Sequence, residues 1–390
     1  MVVPRSSRAD TGRLKYHAIG RIWQLSCSPS RKQLLTVPVV RLYIHTMATQ
    51  RYSLGIRLLG GLVALILFVV MIEAVVRLVE FDTTFQNRFF VLNRALDYPD
   101  VFEKDHRLFW RFRPDQTITS EFFEGKTYRI NSDGMRGPEI TRPKMRPRIL
   151  AIGNSCTFGW GVTEDSIYIR RIETAFDGRY EVINAAIPGY TSLQGKRFLQ
   201  DELIRLEPEI LLVLFAWNDH WAAANGIADK NQEFPPPWLL DMQNALARLE
   251  SYRLYKKLLL SAVEPDPDSL YQRDSIVYRV GPDDFYQNLQ EISAIGQANH
   301  MRVIFLTSPI PALETYYAPG MRSPLHNFHY RYNEIIRRVA RDTRAELVDI
   351  ALRFDRHDGL FDNAAMDPIH FNARGHAVAA EAILELLRQD

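Results

Sequence analysis

The sequence predicts an α/β fold built on a parallel sheet of five strands, and three observations carry that expectation. Five short apolar runs, at 149–152, 180–182, 210–215, 302–307 and 347–350, alternate with helix-like stretches at 164–176, 192–206, 283–299 and 326–343. Strand and helix in alternation imply parallel strands joined by right-handed crossovers. The first run is broken abruptly by Gly153-Asn154-Ser155, a turn that places a serine at a strand's carboxyl end. Finally, 390 residues with 46% hydrophobic content can bury one large core and still leave appendages.

The appendages come first. Residues 1–46 hold many basic residues, a single acidic one (Asp10), several serines and no sustained apolar period. A transit peptide has this composition. Alternatively Met47 is the start, because Arg51 and Arg57 ahead of an apolar run make a complete export signal. The second reading is favoured, since it leaves the next segment near an amino end and makes 1–46 a mis-assigned or disordered extension. From Leu58 to Ile72 there is no charge, and the apolar stretch runs on past Glu73 and Arg77 to Val79. It is apolar all round before Glu73, unlike a core helix with a polar stripe, and no small-residue cleavage site follows. The expectation is one transmembrane signal anchor over 58–79. Arg and Lys in excess ahead of it send the remainder across, to the periplasm or another extracytoplasmic side.

Residues 80–144 are rich in aromatics and arginine. Alternating runs at 117–123 and 127–130, with the turn Asn131-Ser132-Asp133-Gly134, predict a small β-containing lead-in segment. Arg136 there either lines a pocket or pairs with an acid. The main domain occupies 145–390 and ends in a helix at 373–387. Its alternation pauses at 221–280, which contains three successive prolines (Pro235 to Pro237), an amphipathic stretch at 239–260 and a charged loop at 264–273. This reads as an insertion beside the strand ends. Its aromatics either stack on sugar rings or pack in a core.

Chemistry is concentrated at four strand-to-loop junctions. Ser155 can be a nucleophile if a base reaches it, and the N–H groups of the helix that follows stabilise negative charge. Gly189, in Ile187-Pro188-Gly189, lets a backbone N–H approach a carbonyl oxygen closely. Asn218, in Ala216-Trp217-Asn218-Asp219, is a neutral donor for an alkoxide. Asp367-Pro368-Ile369-His370 sets a carboxylate three residues before an imidazole, a spacing that fixes its tautomer. Taken singly these are also a helix cap, a Pro-Gly turn, an Asn-Asp turn and a surface histidine. Four in order are much harder to obtain by chance.

Together the blocks resemble the SGNH/GDSL hydrolases, of the membrane-anchored bacterial type. Three departures stand out: Asn154 replaces the usual Asp, Ala216 replaces the usual Gly, and Thr157 rules out the lipase elbow G-x-S-x-G. The resemblance implies a flavodoxin-like three-layer sandwich around the five-stranded parallel sheet, covering about 145–390. It implies Ser155 as nucleophile, His370 as general base, Asp367 as its orienter, and Ser155, Gly189 and Asn218 as oxyanion-hole donors. It implies no cofactor and no metal.

Composition narrows the alternatives. A formal net charge of +2, with basic and acidic residues interspersed, indicates no nucleic-acid surface. The two cysteines, Cys27 and Cys156, make no disulfide framework, and Cys156 reads as a small buried residue beside the serine. His370 and His376 lack zinc spacing, and His376 fits the helix that follows. The leading expectation is a membrane-anchored serine esterase acting on an ester substrate, an acylated carbohydrate or small alcohol. An O-acetyltransferase of an envelope polysaccharide would keep the same acyl-enzyme. A non-catalytic envelope binding protein would keep only the scaffold.

Overall fold

Apolar runs that lack polar alternation become strands buried on both faces. The chain makes four of them, β5 (Arg148–Gly153), β6 (Glu181–Asn184), β7 (Ile210–Leu214) and β8 (Arg302–Leu306), and a fifth, half-buried strand, β9 (Glu346–Val348), at one edge. All are parallel, in the order β6-β5-β7-β8-β9. This is the expected flavodoxin-like sheet. The computed structural model describes residues 53–81, 98–119, 125–223, 226–261, 276–311, 324–363 and 367–389. The extension 1–46, the alternative start Met47, the charged loop 264–273 and the end of the run 117–123 lie outside the described residues.

Side chains alternate across each strand, so one run feeds two cores. Leu150, Ile152, Leu211, Val213, Val303 and Phe305 face one cluster, and Ile149, Ala151, Ile210, Leu212, Leu214 and Ile304 face the other. Three helices cover the first face: Ser192–Asp201, Pro282–Ala298 and Pro324–Thr343. Tyr168–Ala175 and Ala373–Leu387 cover the second, with the short helix Ile350–Phe354 against the latter. Each fully buried Leu, Ile, Val or Phe contributes about 1.5–3 kcal/mol, so both layers are needed to hold the sheet.

Ahead of the sheet lie two antiparallel hairpins, β1 (Phe102–Asp105) with β2 (Phe109–Phe112) and β3 (Gln116–Thr119) with β4 (Thr127–Ile130). Phe102 stacks on its cross-strand partner Phe112 with ring centroids 4.6 Å apart. These hairpins are buried in the first of the two clusters. Arg136 extends the second ladder to the sheet, bridging Ile130 on one side and Asn184 of β6 on the other.

Several boundaries differ from the sequence expectation. The helix expected at 164–176 is a 3₁₀ turn, Glu164–Ser166, followed by Tyr168–Ala175, with extended backbone at Ile167 between them. The amphipathic stretch 239–260 is two helices, Pro237–Leu246 and Glu250–Ser261, the first started by Pro237 at a position where its missing N–H costs nothing. Near the amino end one 25-residue helix, α1 (Leu54–Leu78), is long and apolar enough to cross a membrane. By contacts the chain divides into 1–66 and 67–390.

Candidate active site

Gly153 ends β5 where no side chain fits: a Cβ there would stand 2.4 Å from Thr157 Oγ1 and 2.7 Å from the Leu214 carbonyl. The chain then turns into a short helix, Ser155–Phe158, with Asn154 as its cap. Asn154 Oδ1 accepts from Cys156 N at 3.0 Å. Its Nδ2 is buried and finds no acceptor among the described residues, so the Asn that replaces the family's Asp does one half of what an amide can do. As the first helical residue, Ser155 has no intrahelical acceptor for its N–H.

Across the sheet from this turn, the loop after the 350–354 helix brings His370 to the serine. His370 Nε2 lies 2.8 Å from Ser155 Oγ. His370 Nδ1 lies 2.7 Å from Asp367 Oδ2, while Asp367 Oδ1 accepts from the N–H groups of Ile369 and His370. Burial alone would raise the Asp367 carboxyl. The hydrogen bonds and charge of His370, with the two N–H groups, outweigh it and hold the carboxyl below its ordinary value. An ionised carboxylate only accepts, so Nδ1 carries a proton toward Asp367 and Nε2 faces the serine hydroxyl. Trp160 stacks on the imidazole at 5.6 Å between centroids.

Gly189 and Asn218 sit at the carboxyl ends of the two strands that flank β5. Ile187 N donates to the Gly153 carbonyl at 3.3 Å, tying the second junction to the first. Asn218 Nδ2 donates to the Tyr190 carbonyl at 3.1 Å, tying the third to the second. Gly189 has φ +85°, a conformation that glycine adopts without cost. Ala216, which stands where the family has glycine, has φ +146° and is fully buried. That backbone is strained for any side chain, so this departure, like the unpaired amide of Asn154, carries a cost visible in geometry.

Three residues that motif reading missed, Arg279, Asp229 and Asn184, hold these junctions in place together with Arg136, which the sequence singles out without fixing its role. Arg279 is 2% exposed; its Nη1 donates to the Gly189 carbonyl at 2.9 Å and its Nη2 to Gln194 Oε1 at 3.0 Å. Asp229, 1% exposed, accepts from Arg279 Nη2 at 2.9 Å and from Thr191 Oγ1 at 3.0 Å. Asn184 Nδ2 donates to the Thr157 and Phe158 carbonyls at the end of the serine helix. Arg136 lines a cavity together with Met135, Ile140, Arg170 and Asn184, away from Ser155, and among the described residues its hydrogen bonds go to no acid. It is buried and donates to the carbonyls of Phe158, Gly159 and Val162, each at 2.7 Å, with its guanidinium over the rings of Tyr128 and Phe158. These long-range pairings have no sequence signal of their own. Only the placement of Asp229 and Arg279 at the two ends of the insertion hints at a clasp.

Cys156 is buried, its Sγ 3.4 Å from the Ile369 carbonyl, and burial pushes its thiol well up from the ordinary value. A thiol so held is a poor nucleophile. His376 lies inside the Ala373–Leu387 helix, buried, with Nδ1 accepting from Tyr168 N at 3.3 Å. Among the described residues no group of three His, Cys, Asp or Glu side chains is placed to hold a metal ion.

Residues 151–378 match the model of the GDSL-like Lipase/Acylhydrolase family. The chain belongs to that family. Among solved structures, this GDSL-family chain is similar to the lipase/acylhydrolase from Enterococcus faecalis (18% identity, 63% of this chain and 96% of the other, TM-score 0.41). It is similar also to the acetyl xylan esterase AlAXEase (16%, 61% and 98%, TM-score 0.41) and to LAE5, an alpha/beta hydrolase enzyme from the metagenome of Lake Arreo, Spain (19%, 62% and 95%, TM-score 0.40). No curated protein matches the chain.

Proposed function

We propose that this GDSL-family hydrolase is a serine esterase working through an acyl-enzyme, on the O-acyl group of a carbohydrate or small alcohol. One observation carries the reading: a serine hydroxyl 2.8 Å from an imidazole whose other nitrogen is 2.7 Å from a carboxylate. Ser155 Oγ attacks the ester carbonyl while its proton passes to His370 Nε2. The oxyanion is held by the N–H groups of Ser155 and Gly189 and by the second amide proton of Asn218, in addition to the one spent on Tyr190. His370 returns the proton to the departing alcohol. Water, deprotonated by the same imidazole, then releases the acid and regenerates the serine. Asp367 orients the ring and stabilises the imidazolium without taking its proton.

The enzyme is further proposed to be anchored through α1, with the main domain from about 145 on the extracytoplasmic side and the insertion 221–280 beside its site. Mixing the protein with an activated acetyl ester should give a burst of alcohol and an acetyl group on the Ser155 peptide. Steady hydrolysis with no acylated serine would remove the acyl-enzyme. With a sugar acceptor added, acetyl transfer in preference to hydrolysis would make it a transferase.

A further inference from the structure

The insertion carries apolar side chains on two helix faces that point away from the core. Label the helix Pro237–Leu246 α2 and the helix Glu250–Ser261 α3. On α2, Trp238 is 66% exposed and Met242, one turn on, is exposed as well. On α3, Tyr255, Leu258 and Leu259 are exposed at i, i+3 and i+4, with Leu258 at 66%. Among the other described residues of the main body, exposed apolar side chains such as Met145 and Leu352 stand singly and need no explanation. Two exposed stripes on consecutive helices do need one.

What covers them is indicated by how α3 begins. Glu73, where the uncharged part of α1 ends, accepts hydrogen bonds from Glu250 N at 3.0 Å and Ser251 N at 2.9 Å, the first turn of α3. Ser251 Oγ adds a third at 2.7 Å. Arg77 Nε donates to the same carboxylate at 2.7 Å, and its Nη2 reaches the Arg248 carbonyl at 3.3 Å. A helix start is thus capped by the side chain that marks the end of the apolar span. At about 1.5 Å per residue, Tyr255 to Leu259 lie roughly 6–12 Å along α3 from that cap. Lys256 borders the stripe, and Arg77 and Arg248 are exposed beside the cap. Exposed Trp and Tyr, with Lys256 beside Tyr255, suit a headgroup layer, where apolar faces sink about 5–10 Å and basic side chains meet anionic lipid; α2 itself carries one charge, Asp241.

We infer that α2 and α3 rest on the lipid surface that α1 enters, giving the enzyme a second contact with the bilayer through its insertion. The inference rests on the proposed anchoring through α1. Its consequence is mechanical: the segment that supplies Asp229 and Arg279 to the Gly189 turn would also be the segment that meets the membrane.

The test uses the full chain with Cys27→Ser, in which Cys156 stays buried, reconstituted in vesicles of phosphatidylcholine and phosphatidylglycerol. Single nitroxides are placed by Leu65→Cys in α1, Leu258→Cys in α3 and Arg356→Cys on an exposed turn. Collision rates are measured with oxygen, which partitions into lipid, and with a water-soluble nickel chelate. Oxygen should exceed nickel at 65 and at 258, and nickel should exceed oxygen at 356. Lipid exposure at 65 with water exposure at 258 overturns the inference and leaves the anchor standing. Water exposure at 65 overturns the anchor itself and the inference with it. Shielding of 258 from both reagents, with spin–spin broadening, assigns the stripe to a second copy of the chain and equally overturns it.

Discussion

The two sides of the site are built differently. On the base side, Asp367 and His370 are three residues apart, and every hydrogen bond that orients them is made within one loop and to Ser155. On the side proposed to hold the oxyanion, Gly189 is held from outside its loop, by a buried ion pair whose partners are 50 residues apart in the insertion. A proton relay can be written in a tetrapeptide. A backbone N–H aimed at a developing charge needs a scaffold, because the turn that carries it has no side chain of its own to hold it.

That contrast can be broken most sharply at Asp367. Asp367→Asn should leave the fold intact and lower kcat by roughly 10⁴, the cost of a wrong imidazole tautomer. A loss of less than tenfold would mean that the base side does not work as a relay. On the other side, Arg279→Met leaves Asp229 buried without its cation and should destabilise the protein by about 3–5 kcal/mol in denaturant unfolding. Adding Asp229→Leu should recover much of that stability. The double variant should still show kcat reduced by up to roughly 10² with KM little changed, because the Gly189 carbonyl remains ungripped. Full recovery of kcat along with stability would reduce the clasp to packing.

Asp219 gives a smaller, pH-dependent effect. It is fully buried, accepts from Ser192 N at 2.8 Å, and burial pushes its carboxyl up to about 7, against the pull of the Ser192 hydrogen bonds and Arg279. Between the ordinary value of 3.8 and about 7 the folded carboxyl keeps a proton that the unfolded one has released. Stability therefore falls as pH rises through that window, by up to roughly 1.4 kcal/mol per unit. Asp219→Asn should flatten this slope, and an unchanged slope would place its origin elsewhere. The smallest effect is expected at Ala216. Ala216→Gly removes a methyl from a backbone at φ +146° and should stabilise by about 1 kcal/mol, read as a raised unfolding midpoint.

The same contrast explains what could be read in the sequence. Four of the strands were legible because each is a short apolar run almost wholly buried, and their parallel direction followed from the helices between them; the last, expected at 347–350, is the half-buried Glu346–Val348, because Asp349 caps a helix that starts at Ile350. Ser155, Gly189, Asn218, Asp367 and His370 were legible because each sits in a short block at a strand end, and the structure brings the serine, imidazole and carboxylate within hydrogen-bond reach. Arg279 was not, and for Arg136 the position was legible but the carbonyls it grips were not. Each is one of 48 lysines and arginines, and what distinguishes it is a set of backbone carbonyls 22 to 90 residues away. The helix boundaries at Ile167 and at 247–249 were missed because periodicity continues across both breaks while the backbone does not.

The central claim is that Ser155 is a nucleophile activated by His370. A fluorophosphonate probe tests it directly, with the labelled residue located by peptide mass spectrometry. Wild type should be phosphonylated at Ser155, Ser155→Ala should take up no label, and His370→Ala should label far more slowly. A folded wild type that takes up no label, or one labelled at a residue other than Ser155, would contradict the account.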